Sequence, residues 1–209
     1  MEEARGSKVV VRFDTKKCIH SRHCVLDAPE VFQANVQGAW INPDHASVEK
    51  VVRVAHACPS GAITYERMDG GAQESAPAIN AARIRENGPI ALHADLRINK
   101  HFLGYRATLC RCGASTNKPF CDGSHGTANF VASGEPPSGK TDMLAHRGGV
   151  LEVTPSKDGP LQVDGNLELC SGTGRVVSRT TQTWLCRCGG SANKPFCDGS
   201  HKKIGFKAE

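Results

Sequence analysis

The sequence predicts an α+β chain: a small α+β lobe over residues 1–67, a linker at 68–84, and a mainly β module present twice, at 85–135 and 136–209. Three observations predict it. The stretch CRCGASTNKPFCDGSH at 110–125 returns as CRCGGSANKPFCDGSH at 186–201. A segment alternating apolar and polar residues, the mark of a half-buried strand, stands ahead of each copy. The first 67 residues instead combine β-branched runs with one stretch of helical periodicity.

The elements follow in order. Residues 8–14 (KVVVRFD) are β-branched and read as a strand. Residues 46–57 place Val48, Val51, Val52 and Ala55 at helical spacing, so an amphipathic helix delivers Cys58 at its C-terminal end. Residues 59–65 read as a turn into a second strand. Residues 67–77 (RMDGGAQESAP) are rich in Gly and polar residues and read as a flexible connection. Residues 88–98 then match 159–169, and each cysteine motif is preceded by a further β-rich run, at 105–109 and 178–185. Phe130 and Phe206 each stand five residues past a motif histidine. The repeat is therefore a unit of strands plus a loop, and two such units are expected to pack as a pseudo-twofold pair.

Composition bounds the function. Aromatic residues are 5% of the chain, against 22 glycines and 11 prolines, a loop-rich make-up that small lobes usually staple with metals or disulfides. The N-terminal MEEARGSK has no apolar core of a secretory signal, and no apolar run approaches a membrane span. The expectation is a cytoplasmic, reducing setting, in which clustered cysteines are metal ligands. A net charge of +5 with no run of lysines longer than a pair such as Lys16–Lys17 reads as a solvated surface, with no nucleic-acid partner expected. A Ser-His-Asp arrangement, a Walker loop and a GxGxxG fingerprint are all missing, so no enzyme is expected. Trp40 and Trp184 read as core aromatics and Cys170 as a buried or half-buried thiol.

The repeated motif is the candidate metal site. Cys110 and Cys112 are two apart and can reach one metal from a tight turn; Cys121 and His125, four apart, can reach a second. Cys186, Cys188, Cys197 and His201 repeat the set. Thiolates with one imidazole suit zinc or an iron–sulfur cluster, and Cys-x-Cys is tighter than the usual spacing of structural zinc pairs. Gly113 and Gly189 suit a loop whose backbone approaches sulfide, with unusual dihedrals. Asp122 with Ser124, and Asp198 with Ser200, predict a helix starting near each histidine.

C-x-C-x2-S-x3-P-x-C-D-G-S-H resembles the signature of the CDGSH (mitoNEET-like) iron–sulfur family, matched at every marked position in both copies, including Ser115, Pro119, Ser191 and Pro195. The resemblance covers roughly residues 85–209. It implies one [2Fe–2S] cluster per copy, with the two nearby cysteines on an inner iron and the Cys and His of the second pair on an outer one. It also implies that the tandem chain is a fused form of a homodimer, hence a monomer with an internal pseudo-dimer. A histidine ligand leaves one fewer negative charge than four thiolates, which favours reduction. It also suggests that potential and cluster release depend on pH through His125 and His201.

The first lobe resembles single-cluster bacterial ferredoxins, including the divergent mono-cluster domain found beside CDGSH modules. Cys18, Cys24 and Cys58 with Pro59 carry this resemblance, together with the segment at 28–32 and Ala62-Ile63. Ser21 stands where the middle cysteine of C-x2-C-x2-C would be. Three thiolates imply a [3Fe–4S] cluster; the alternative, [4Fe–4S], needs a fourth ligand from Ser21, His20, His23 or a small molecule. The fold class is then a ferredoxin-like α+β lobe followed by a tandem CDGSH module, and the expected function is one-electron transfer between a reductase and an acceptor. The alternative is a carrier, or iron/redox sensor, that donates labile [2Fe–2S] to apo-proteins.

Overall fold

In the N-terminal unit the β-branched run folds as the central strand of a three-stranded antiparallel sheet. Strand β1 (Glu2–Arg5) pairs with β2 (Val9–Phe13), and β2 with β3 (Ile63–Arg67), in the order β1-β2-β3. Val9, Val11 and Phe13 bury one face of β2 against Val51, Val54 and Ala55 of helix α2 (Val48–Ala57). Ser47 caps that helix by accepting a hydrogen bond from Lys50 N at 3.3 Å, relieving one of its orphan N–H groups. The buried stripe includes Val54 where the periodicity suggests Val52, which lies at the rim. Two elements were not legible: β1, whose EEAR lacks strand formers, and the short helix α1 (His23–Asp27), which carries Cys24.

The structure, a computed structural model, describes residues 1–209 and divides into two compact units, Met1–Ser75 and Ala76–Glu209. Strand β4 (Ala81–Ile84) corrects the expected linker at 68–84, since its last residues are part of the second unit's sheet.

The second unit contains two antiparallel hairpins, β5 (Ile90–Ile98) with β6 (His101–Leu109), and β8 (Leu161–Cys170) with β9 (Val176–Leu185). Each is preceded by a short strand, β4 and β7 (Val150–Pro155), and each short strand serves both hairpins. β4 runs antiparallel to β5 and parallel to β8; β7 runs antiparallel to β8 and parallel to β5. The four strands β4, β5, β7 and β8 thus close into a barrel-like ring. Inward-facing Leu92, Leu96, Leu109, Leu161, Leu167 and Leu185 form one core beneath it. Neither repeat closes without a strand of the other, which is why the alternating residues of each hairpin are buried so completely.

Two further expectations need correction. Trp184 is 45% exposed and is not a core residue, because β9 turns its side chain to the outer face. A helix follows the ligand loop only in the second copy, as the four-residue α3 (Ser200–Lys203); the first copy makes turns over 124–129 instead. Gly126 follows His125 where Lys202 follows His201, and glycine is the poorer helix former. No helix is long and apolar enough to cross a membrane.

Candidate metal centres

Each ligand loop is held at the end of its hairpin by a short set of backbone bonds. Cys110 N donates to Pro119 O at 2.8 Å and Cys121 N to Thr108 O at 2.9 Å, so the two halves of the loop pair like a continued ladder. In the second copy Cys186 N meets Pro195 O at 2.7 Å and Cys197 N meets Trp184 O at 2.9 Å. Ser115 Oγ donates to Phe120 O at 2.7 Å, and Ser191 Oγ to Phe196 O at 2.7 Å, closing the turn between the two ligand pairs.

Asp122 organises the approach to His125. Its carboxylate accepts from Thr116 N at 2.8 Å and Ser124 N at 3.0 Å, as Asp198 accepts from Ala192 N and Ser200 N in the second copy. Burial raises the Asp122 carboxyl, but the Ser124 and Thr116 donors outweigh it and hold the group well below the usual carboxylate range. The predicted helix-start role of Asp122 and Ser124 is therefore a loop-bracing role, applied from an adjacent turn.

The ligand atoms fall into two pairs per copy. Cys110 Sγ and Cys112 Sγ are 3.7 Å apart, and Cys121 Sγ and His125 Nδ1 are 3.4 Å apart. Cys186 with Cys188, and Cys197 with His201, give 3.6 and 3.4 Å. Two thiolates on one tetrahedral metal, with bonds of about 2.3 Å, sit about 3.8 Å apart. Each pair is thus spaced to chelate one metal ion. Three thiolates and one imidazole per copy, set in two such pairs, are a soft donor set that fits an iron–sulfur cluster.

The sulfurs lie in a field of amide donors. Ala114 N and Gly190 N donate to Cys112 and Cys188, each at 3.4 Å. Gly123 N and Gly199 N reach Cys121 and Cys197 at 3.4 and 3.5 Å. The Cys112 thiol and the neighbouring N–H groups lower the pKa of the Cys110 thiol, whereas burial pushes that of Cys121 up to about 11. Cys110 and Cys186 are 1% exposed, while His125 and His201 are half-buried, so one edge of each site faces the interior and the other the surface.

The two loops meet through their inner cysteines. Cys112 and Cys188 form an isolated antiparallel bridge, and Gly113 and Gly189 have φ of 83° and 80°. A Cβ on Gly113 would lie 2.4 Å from Cys188 O, and one on Gly189 2.2 Å from Cys112 O. The approach that requires glycine in this structure is loop against loop, together with the unusual dihedral the sequence suggests. Gly123 and Gly199 have φ of 87° with open space around them, so the dihedral alone accounts for them.

In the N-terminal unit Cys18, Cys24 and Cys58 line one cavity of about 550 Å³, together with His20, Ser21 and His23. Burial raises the Cys18 and Cys24 thiols, and the nearby Cys58 adds to both shifts. His20 and Arg22 adopt positive φ (54° and 64°), which curls the 18–24 segment so that its two cysteines face the same space. Ser60 escaped the sequence reading: it is 3% exposed and its Oγ lies 3.6 Å from Cys58 Sγ. The C-P-S-G order after the helix was the available signal. The cavity has room for a cuboidal cluster on three thiolates. Cys170 is apart from all three sites, 5% exposed, with its thiol raised by burial.

Comparison with known proteins agrees with this geometry. A family model described as iron-binding zinc finger, CDGSH type, matches residues 83–126 and 158–202. One described as divergent 4Fe-4S mono-cluster matches residues 4–68. Two curated Escherichia coli proteins, from strain K12 and from O157:H7, both called Uncharacterized protein YjdI, are each 42% identical over 60 residues, which is 29% of this chain and 78% of theirs.

Proposed function

We infer, because this chain belongs to the CDGSH iron–sulfur family and carries an N-terminal divergent 4Fe-4S mono-cluster domain, that it works as a multi-cluster carrier of single electrons. The observation that carries this reading is the paired spacing of the ligand atoms, two chelating pairs per copy, beside a third cysteine-lined cavity. We assign Cys110, Cys112, Cys121 and His125 to one [2Fe–2S] cluster and Cys186, Cys188, Cys197 and His201 to another. Cys18, Cys24 and Cys58 go to a [3Fe–4S] cluster, with [4Fe–4S] as the alternative if His20, Ser21 or His23 supplies a fourth ligand.

Such clusters, when bound, take up and release one electron each. The chain's own residues do the rest. The closed barrel excludes water from the Cys110 and Cys186 side, and the amide donors at Cys112, Cys121, Cys188 and Cys197 stabilise negative charge on sulfur. The half-buried His125 and His201 present the opposite edge to a redox partner. The equivalence of bonds in the two loops, and the exchange of β4 and β7 between hairpins, support reading the module as a pseudo-twofold pair within one chain. The partners proposed are a reductase and an acceptor protein in the cytoplasm.

A second reading, donation of labile [2Fe–2S] to apo-proteins, is favoured by the half-buried histidines alone. Iron and sulfide content with EPR of the purified protein tests the first reading: about seven iron atoms per chain fit two [2Fe–2S] and one [3Fe–4S]. Zinc without sulfide would overturn it. Incubation with an apo-ferredoxin separates the two: fast reduction without loss of iron supports the electron carrier, and transfer of iron and sulfide supports the donor.

A further inference from the structure

Arg111 and Arg187, the middle residues of the two Cys-Arg-Cys triplets, are fully buried, at 1% and 0% exposure. Each ties together two stretches of its own repeat. From Arg111, Nε donates to Gly88 O at 3.0 Å and Nη2 to Arg85 O at 2.5 Å, both on the turn that enters β5. Nη1 donates to Ser133 O at 3.1 Å and Nη2 also to Ala132 O at 3.4 Å, both on the segment that follows His125. Arg187 repeats this in the second copy. It donates to Gly159 O at 2.9 Å and Ser156 O at 2.5 Å on the turn that enters β8, and to Glu209 O at 2.9 Å beyond His201. A guanidinium holds five N–H donors in a rigid fork, which suits it to bridging separate backbone segments.

The segment after each histidine is a strap fastened at both ends. At the near end Ala128 N donates to Ser124 O at 2.9 Å and Phe130 N to His125 O at 3.0 Å, so the carbonyl of the histidine itself is built into the turn. At the far end Ala132 pairs with Asn87 in both directions: Asn87 N donates to Ala132 O, and Ala132 N to Asn87 Oδ1, each at 2.9 Å. In the second copy Phe206 N donates to His201 O at 3.0 Å, Asp158 N to Ala208 O at 2.8 Å, and Ala208 N to Asp158 Oδ1 at 2.9 Å. Asn87 and Asp158 have positive φ of 48° and 52°, so turns of one conformation meet both straps. Phe130 lies 5.3 Å from Arg111 and 5.9 Å from Lys194; Phe206 lies 5.6 Å from Arg187 and 5.7 Å from Lys118. Residues 126–129 are exposed, so the anchors at the two ends, rather than core packing, hold the first strap down.

We propose that Arg111 and Arg187 are positioning residues that fasten the strap behind the outer histidine of their own copy, and so set how slowly each CDGSH site gives up iron. This rests on the cluster assignment above and deepens it, because retention of iron is what separates an electron carrier from a donor of clusters. Release requires the imidazole to give up its bond to the metal, keeping its electron pair, and to swing away. His125 is braced on one side by the Asp122 loop and on the other by the strap. A fastened strap returns the imidazole after each local opening, whereas a loose one leaves time for a chelator to take the metal. Removing the fork strands buried carbonyls on both stretches without donors, which favours the open strap. Neither arginine is a ligand.

The test compares the full chain with its Arg111→Gln, Arg111→Lys and Asn87→Gly variants. Asn87 is exposed and glycine keeps its positive φ, so Asn87→Gly removes one anchor of the strap and decides the matter if the buried Arg111 variants do not fold. Two quantities are measured: hydrogen exchange over residues 126–133 and 202–209, and transfer of iron from the oxidised protein to a colorimetric chelator at neutral pH. In Arg111→Gln, exchange is expected to rise about tenfold over 126–133 and to stay within about twofold over 202–209. Iron release should gain one fast phase of about two atoms per chain, the content of one [2Fe–2S] site, about tenfold faster than in the unsubstituted protein. Asn87→Gly should move both quantities the same way by about threefold. Lys should resemble Gln, because one ammonium cannot span four carbonyls. Full rescue by Lys would make charge the cause and overturn the proposal. An opened strap with unchanged iron release overturns it, as do unchanged exchange and a fast phase of about four atoms, which would mean that both copies had loosened. Zinc without sulfide in the unsubstituted protein overturns the cluster reading and this proposal together, whereas sulfide with unmoved release overturns this proposal alone.

Discussion

Cys112 and Cys188, equivalent inner cysteines of the two motif copies, face each other across an isolated antiparallel bridge, with the following glycines packed against each other's loops. The two candidate clusters are therefore not independent beads on a chain. Their inner edges share one strip of backbone.

That strip predicts different costs for four glycines with the same dihedral. Gly113→Ala combines a positive φ with a Cβ 2.4 Å from Cys188 O and is expected to destabilise the protein by about 2–4 kcal/mol, with loss of iron from both copies. Gly123→Ala has the same φ with open space and should cost about 1 kcal/mol. Thermal unfolding and iron content of the two variants check this; equal losses would mean that the close approach has no energetic weight.

Glu168 ties the second unit together and predicts its response to acid. The carboxylate is 3% exposed and accepts from Arg147 Nε and from Arg179 Nε, both at 2.8 Å. Arg147 foremost, then Arg179 against the opposing cost of burial, lowers its pKa. A carboxyl whose pKa falls on folding adds stability above its unfolded value, near 4.3, and loses it as pH falls through the folded value. Glu168→Gln is expected to cost about 2 kcal/mol at pH 7, on the order of 5 °C in Tm. The gap to the unsubstituted protein should close as pH falls below about 4. A gap constant from pH 7 to pH 3 would show that packing, rather than charge, is what Glu168 contributes.

The sequence was most informative where structure is local. The spacing of Cys110, Cys112, Cys121 and His125, the duplication, and the helix leading to Cys58 all depend on neighbours within a few residues, so periodicity and spacing reveal them. Strand β4, with AARI and two alanines, has almost no strand signal of its own. Its conformation comes from pairing with β5 and β8, the latter about 90 residues away in sequence and visible only in the fold. Arg111 and Arg187 were passed over for a similar reason. Arginine is ordinarily a surface residue, and only the ring of carbonyls contributed by distant turns makes its burial tolerable. Trp184 erred in the other direction, since an aromatic on an edge-facing position of β9 needs no core.

The histidine ligand predicts the sign of a change in potential. Replacing His125 by Cys adds one thiolate charge to the first site while keeping a chelating pair at the position now spanning 3.4 Å. The added negative charge is expected to lower the reduction potential of that site and make its cluster more resistant to loss in acid. Redox titration and the rate of visible bleaching at pH 5 are the measurements. An unchanged potential and bleaching rate would remove the histidine from the chemistry and leave it a structural ligand.

The third site makes a separable prediction, because the first unit has its own core of Val9, Val11, Val51, Val54 and Phe32. Cys58 is 8% exposed at the end of α2, and Cys58→Ala removes one small side chain from the rim of the cavity, a change of about 1 kcal/mol in folding. The effect on cofactor should be far larger. Iron is expected to fall from about seven to about four atoms per chain, with only [2Fe–2S] signals left in the EPR of the reduced protein. A fall from about eight to about four would instead identify the N-terminal cluster as [4Fe–4S] and send the search for a fourth ligand to His20, Ser21, His23 and Ser60, all of which line the same cavity. Unchanged iron would exclude Cys58 from the site and with it the three-thiolate assignment.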